Sequence, residues 1–513
     1  MTRTALRENK GRLPVARDAI VPVPVGGLNA RDAEDAMPAT DALTLDNWFP
    51  EASYLRLRRG CTAWATGFPG PVETLMEWSG PASQKFFAAS GTGIYDVTAA
   101  GAIGASGQAV TSARLQHLMF SNTGGNYLVA VNGLDGVLTY NGTIWATSAI
   151  TGATAANFAH VASWGRRLWF ASNTESKAYY LGTDAIAGAA SVLDLGAVWR
   201  RGGAVRAILS VSFDSGGSGL NNYIAFLSSN GELAVFGGTD PASAATFGIV
   251  GRYQIGTPVG ARSSCQYGGD ILLLTQDGCV SLTKSIQIDR ASTSIASTTD
   301  KILRLFSDDW RSYGTLFGWQ VITYANGHAI VVNVPTSTTT SQQYVQSTTT
   351  GAWCRYTGMN ARCWGLFSDD LYFGGANAVY QADTGTSDNG APIVGRVRTA
   401  YNRHKTAGEK RYTMVRPTMR ANGDPGARLS LDVDYERGSL PVGFTVNITS
   451  SLWDVALWDV GLWGGSGNGI RGWTAAAAQG RVVSIGMYTS TIGAEINLTG
   501  FDLLFEASKA PVL

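Results

Sequence analysis

A chain of 513 residues is long enough to bury a large core in two or three domains. Its formal net charge of +1 excludes a global field drawing it to nucleic acid or a membrane surface. Glycine contributes 63 residues and charged side chains only 15% of the chain, while the apolar runs favour Val, Ile, Tyr, Phe and Trp. This composition predicts a β-rich, turn-rich protein without long amphipathic helices. No apolar run approaches the ~20 residues of a membrane helix, so no membrane insertion is expected. Met1 to Gly26 has early charges but no continuous apolar stretch, which points to synthesis in a cytoplasm.

Residues 1–25 carry five basic residues and then Val21-Pro22-Val23-Pro24-Val25, where alternate prolines favour an extended arm over a central strand. Thr40 or Asp41 reads as the N-cap of a helical turn that stops before Pro50. Leu55 and Leu57 alternate with Arg56 and Arg58, as in an edge strand with a basic outer face. Trp48, Arg56, Arg58 and Arg59 are candidate docking residues in this first segment, residues 1–60.

From residue 61 to 395 one phrase returns: an apolar run, a small polar turn with glycine, and a second apolar run. Clear copies are Phe86–Asp96, Leu128–Tyr140, Ile224–Phe236, Ile271–Leu282 and Leu371–Gln381. Asn-Gly and Asp-Gly supply the positive φ angles that tight hairpin turns require. Related hairpins spaced about 40 to 100 residues apart predict the blades of a β-propeller, with a large β-sandwich as the alternative. Between two of them, Thr299 and Asp300 are placed to cap a helix with Ile302, Leu303, Leu305, Phe306 and Trp310 on its apolar side. Residues 335–350, rich in Thr, Ser and Gln, read as a long exposed loop.

Residues 396–513 are expected to form a sandwich-like β platform. It opens on the chain's one charge concentration, which includes Arg396, Arg398, Arg403, Lys405, Lys410, Arg411 and Arg416. These are candidates for contact with a partner molecule. Leu429, Leu431 and Val433 alternate with Ser430, Asp432 and Asp434, predicting a half-buried strand with an acidic outer face that continues to Glu436. Trp453, Trp458 and Trp463, five apart, fit neither the helical nor the strand period and read as anchors of an irregular docking loop, or as packing within their own domain.

Catalytic signatures are absent from the sequence. Neither a G-x-S-x-G elbow nor a phosphate-binding G-K-[ST] loop occurs, and His117, His160, His328 and His404 show no metal-ligand spacing. The cysteines, Cys61, Cys265, Cys279, Cys354 and Cys363, are odd in number and are expected to be buried free thiols. No enzymatic activity, cofactor or metal is expected. A propeller glycosidase, with carboxylates drawn from separate blades, stays open as an alternative.

Two stretches carry a family resemblance. A double glycine at Gly26-Gly27, then Asp41-Ala42-Leu43-Thr44-Leu45-Asp46-Asn47-Trp48-Phe49-Pro50 and Leu55-Arg56-Leu57-Arg58-Arg59-Gly60, resembles the opening of the tail nozzle proteins of short-tailed bacteriophages. These are also called tail tubular protein B or packaged-DNA stabilisation proteins. Ser347 to Tyr356, Cys363-Trp364, Leu371 to Gly375, Val379 to Asp383 and the turn at Asp388-Asn389-Gly390-Ala391-Pro392-Ile393, which precedes a strand with Arg396, Arg398 and Tyr401, resemble a blade of the same family. Together they span about a third of the chain. The resemblance implies a structural virion protein: a homo-hexameric ring below the tail adaptor, touching tail fibres or spikes and conducting genomic double-stranded DNA. In such a ring the basic residues from Arg396 to Arg416 are candidates for a subunit interface or for a channel that meets DNA phosphates without sequence preference. It also implies a location in the phage tail after assembly in the host cytoplasm. The alternatives are a carbohydrate-binding or depolymerising tail propeller, or another neck or adaptor component.

Overall fold

Hairpins are the building unit, and each becomes the second and third strands of a small antiparallel sheet. The computed structural model describes residues 16–214, 220–287, 290, 297–406, 408–438, 468–470 and 472–507. The protein is all-β and divides into two compact units: Arg58–Ile393, and a second unit formed by Met1–Leu57 with Val394–Leu513.

Arg58–Ile393 is a β-propeller with seven blades among the described residues. Blade 1 comprises Val72–Ser79, Gln84–Ser90, Gly93–Asp96 and Gln108–Ala109. Blade 2 runs from Gln116–Asn122 through Gly125–Val131 and Leu138–Tyr140 to Trp145–Thr147. Blade 3 holds Phe158–Trp164, Arg167–Ser172, Lys177–Tyr180 and Ser191–Asp194. Blade 4 holds Val205–Asp214, Leu220–Ser228, Glu232–Gly238 and Phe247–Gln254. Blade 5 is shorter, with Ser264–Tyr267, Asp270–Thr275 and Gly278–Ser281. Blade 6 comprises Gln320–Tyr324, Ala329–Pro335, Ser341–Ser347 and Trp353–Tyr356. Blade 7 takes Cys363–Phe367, Asp370–Gly374 and Ala378–Ala382 from the end of the unit and its fourth antiparallel strand, Cys61–Thr66, from the beginning. The first strand of each blade neighbours the next blade, and that of blade 7 neighbours that of blade 1, so the ring closes.

The core of this unit is distributed between blades. One apolar cluster joins Trp169 and Tyr180 of blade 3 to Phe226 and Phe236 of blade 4. Others lie between blades 1 and 2, 2 and 3, 4 and 5, and 7 and 1. A blade covered on both faces needs apolar residues at consecutive positions, which is why Ile271-Leu272-Leu273-Leu274 is a run without alternation. Turn glycines are forced by geometry. Gly231 sits at φ 77°, and a Cβ there would lie 2.5 Å from the Ile255 carbonyl oxygen.

Two blades escaped the sequence phrase. Blade 3 turns through Asn173-Thr174-Glu175-Ser176, without glycine. Blade 6 turns through Thr336–Thr340, where the Ser337 hydroxyl accepts from the amides of Thr339 and Thr340. Residues 335–350 are therefore not a long exposed loop. Ser341–Ser347 is a largely buried strand, with the Gln343 amide group donating to Asn333 Oδ1 at 2.9 Å and the Met359 carbonyl at 3.0 Å. Side-chain partners inside the blade make this polar strand compatible with burial. Between blades 5 and 6, a 3-10 turn at Asp300–Ile302, which buries Ile302, leads into the helix Leu303–Tyr313, which buries Phe306.

The second unit contains two antiparallel groups of strands. In one, Ile496–Ala507 is paired with Lys410–Ala421 on one side and with Ala16–Pro22 and Leu55–Leu57 on the other. In the other, Asp41–Asp46 pairs with Ile393–Thr399, and Val483–Thr491 with Arg428–Val433. They face each other across a common core: a Cβ at Gly395 would meet Trp48 Nε1 and Thr489 Oγ1 at 2.6 Å and Leu57 Cδ1 at 2.8 Å. The sandwich therefore recruits the first segment and is not confined to residues 396–513.

Two local expectations are corrected here. Asp41–Asp46 and Trp48–Pro50 are strands, not a helical turn, separated by Asn47 at φ 62°. Leu55–Leu57 is not an edge, since Trp48–Pro50 and Ile496–Ala507 both pair with it. Ala16–Pro22 does lie at an edge of its sheet, where a terminal proline costs no ladder bond.

Candidate functional site

The basic run that dominates the C-terminal sequence separates, on folding, into satisfied and unsatisfied cations. Arg398 Nε lies 2.6 Å from Asp432 Oδ2, and Arg416 Nε lies 2.6 Å from Asp502 Oδ2, with the Arg416 guanidinium 4.5 Å from the Trp473 ring centroid. Lys410 is completely buried, and its ammonium donates to the carbonyls of Thr406 at 2.8 Å, Gly408 at 3.1 Å and Arg481 at 2.7 Å. Burial lowers the Lys410 pKa, partly offset by Asp434. These three tie the fold together. Arg396, Arg403, Lys405 and Arg411 are exposed and make no ion pair among the described residues.

The four free cations do not form one patch. Arg396 lies on Ile393–Thr399, its guanidinium 5.9 Å from the Tyr488 ring, and Arg428 approaches the same ring at 6.0 Å. Arg411 lies on Lys410–Ala421 in the opposite sheet, while Arg403 and Lys405 occupy the loop between these strands. The expected acidic face is also reassigned. Asp432 is 1% exposed and neutralised by Arg398; the strand ends at Val433, and Asp434 and Tyr435 turn away at positive φ.

Several docking candidates are interior. Trp48 is fully buried, and Arg58 is 3% exposed. Arg58 forms a bidentate pair with Asp388, at 2.7 and 2.6 Å, and donates to the carbonyls of Thr357 at 2.8 Å and Arg59 at 2.9 Å. It joins the first and last segments of the propeller, where Gly60 passes so close that a Cβ would clash with the Ser387 carbonyl. Arg56 is half-buried, 5.3 Å from the Phe49 ring centroid, and Arg59 is exposed. Trp453, Trp458 and Trp463 lie outside the described residues.

Sequence reasoning missed a second charged cluster, at the end of the propeller where the inner strands begin. Glu73 starts blade 1; Arg114, Arg262, Phe317 and Arg362 lie just ahead of blades 2, 5, 6 and 7. Arg262 Nη2 donates to Thr74 Oγ1 at 2.7 Å and to the carbonyls of Glu73 at 2.9 Å and Leu115 at 3.1 Å. It thus reaches from the start of blade 5 across the axis to blades 1 and 2. Glu73 Oε1 accepts from Arg114 at 3.1 Å and lies 3.7 Å from Arg362. Nearby, burial and then Arg262 push the His117 pKa down to about 4, and burial raises the Cys363 thiol to about 11. Only their dispersal over five segments hid this cluster in the sequence. Among the described residues, no group of three or more His, Cys, Asp or Glu is placed to hold a metal ion.

The fold and these sites define an all-β protein made of a propeller and a sandwich. No family model and no curated protein matches the chain. Among solved structures, it is similar to BBS1N in complex with ARL6DN, with 8% identity, a TM-score of 0.39, and coverage of 63% of this chain and 97% of that one. The computationally designed Ika8 protein gives 9% identity and a TM-score of 0.36, over 63% of this chain and 99% of the other. An extracellular domain of a hybrid two-component system from B. thetaiotaomicron gives 12% identity and a TM-score of 0.36, over 63% of this chain and 40% of that one.

Proposed function

We propose that the chain is a structural component of the tail of a short-tailed bacteriophage, of the nozzle type. Six copies would surround a shared channel that retains packaged DNA and conducts it during ejection. The reading starts from the resemblance of residues 26–60 and 347–401, and the sandwich supplies its contact chemistry. The observation that carries it is the division of the basic run: Arg398, Lys410 and Arg416 are consumed by the fold, leaving Arg396, Arg403, Lys405 and Arg411 for a partner.

Free guanidinium and ammonium groups on a neutral protein suit phosphates in transit, because such contacts carry no sequence information and are weakened by salt. With Asp432 engaged inside its own chain, the acidic counter-surface expected for a subunit contact is reduced, which favours the channel role for these cations. The conduit in this reading is the axis of the ring. The axis of each propeller is crossed by Arg262.

Charge reversal tests the assignment. Arg396→Glu with Arg411→Glu leaves the internal ion pairs in place, whereas Arg398→Glu would break one. Intact rings with impaired DNA retention are expected; loss of ring assembly would move these residues to the subunit interface. Unchanged rings and unchanged retention would refute both roles. Labelled protein is expected at the distal end of the tail in intact particles. A glycan-binding monomer absent from that position would support the carbohydrate-binding alternative.

A further inference from the structure

The propeller mouth at which the inner strands begin has more positive charge than its own structure uses. Three guanidiniums, Arg114, Arg262 and Arg362, surround one carboxylate, Glu73. The other titratable neighbours add no negative charge near neutral pH, because Cys363 stays a thiol and His117 a neutral imidazole. Arg262 is committed to two carbonyls and a hydroxyl. Arg114 is committed only in part: its side chain is 53% exposed, and its Nε and Nη2 both donate to the same Glu73 oxygen. Arg362 holds the Thr338 carbonyl with one terminal nitrogen and approaches Glu73 at 3.7 Å with the other. Phe317 supplies a wall, with its ring centroid 4.3 Å from Arg114 Cζ and 5.6 Å from Arg262 Cζ.

We infer that this mouth binds a phosphate-class dianion, held by Arg114 and Arg362 beside Phe317. A dianion matches the two uncompensated charges. A guanidinium fork fits phosphate oxygens in paired hydrogen bonds, and stacking on an aromatic face fixes its plane. The same chemistry admits free phosphate and the phosphate of a phosphorylated sugar. The site belongs to one propeller and does not depend on ring assembly.

Calorimetric titration of the full chain tests this. Inorganic phosphate and a hexose 6-phosphate are each titrated at matched ionic strength in chloride buffer. Saturable binding of one ligand per chain is expected, weakened about tenfold or more in Arg114→Gln and in Arg362→Gln, the loss of about 1.4 kcal/mol or more that one charged contact supplies. Arg311→Gln, an exposed arginine on the helix Leu303–Tyr313, is expected to bind as the wild type does. Tighter binding of the hexose phosphate would assign a sugar-borne source; equal or weaker binding would assign free phosphate. Absence of saturable heat with both ligands would overturn the site. So would wild-type affinity in an Arg114→Gln variant that melts at the wild-type temperature, since that half-exposed side chain is not needed for folding.

Discussion

Arginine does different work in the two units. In the propeller, Arg58 and Arg262 are struts whose donors end on Asp388 or on backbone carbonyls of distant segments. In the sandwich, Arg396, Arg403 and Arg411 stand on the surface without a carboxylate partner among the described residues. The difference follows from architecture. A ring of blades must fasten its first segment to its last and fill its axis, and a long planar donor with five hydrogens reaches carbonyls that no neighbouring strand can serve. A sandwich satisfies its backbone through its own ladders and leaves its outward cations free.

Four substitutions or conditions sharpen that contrast. Arg58→Ala should have the largest effect, because it empties a buried guanidinium site and leaves the half-buried Asp388 carboxylate and two carbonyls without their donor; a loss of about 3 kcal/mol is expected in chemical denaturation of the propeller. A loss below about 1 kcal/mol would mean that Arg58 is no strut. Lys410→Met tests one of the three cations, with Arg398 and Arg416, that the sandwich binds internally. Three carbonyls lose their donor, and a cost of about 2–3 kcal/mol should appear as faster amide exchange along Lys410–Ala421.

Acid should act on the propeller through its histidines. Burial, then Arg262 for His117 and Arg206 for His160, holds both pKa values down at about 4. The unfolded chain, near the ordinary 6.5, takes up protons first, so this stability is complete above pH 6.5 and is lost as the pH falls toward 4. Melting curves across that window should show the decline, and His117→Gln should flatten it by about 1–3 kcal/mol. The smallest effect is expected from Arg396→Gln and Arg411→Gln. Each should change stability by less than about 0.5 kcal/mol, and a larger loss by thermal melting would place that arginine among the structural ones.

Much of the propeller was legible because glycine turns punctuate it. All five hairpins read from the sequence are the second and third strands of a blade, as in Ile224–Phe236 of blade 4. Blades 3 and 6 were hidden because serine and threonine hydroxyls close their turns in place of glycine, and because Ser341–Ser347 buries glutamine. Asp41–Asp46 resembled a cap because an acidic residue preceded apolar ones. Long-range pairing with Ile393–Thr399 decided otherwise, and no local pattern encodes a partner some 350 residues away. The site was legible in composition but not in geometry. The basic run stood out, yet only the fold separates Arg398, bound to Asp432, from Arg396 two positions earlier. Arg114, Arg262 and Arg362, far apart in sequence, left no local signal at all.

The central claim is that this chain works as a ring, and the mass of the purified protein under native conditions tests it most directly. Particles of about six times the 54.1 kDa chain, with an open centre in electron micrographs, are the predicted result. A species that stays at the mass of one chain, both alone and beside tail adaptor rings, would contradict it.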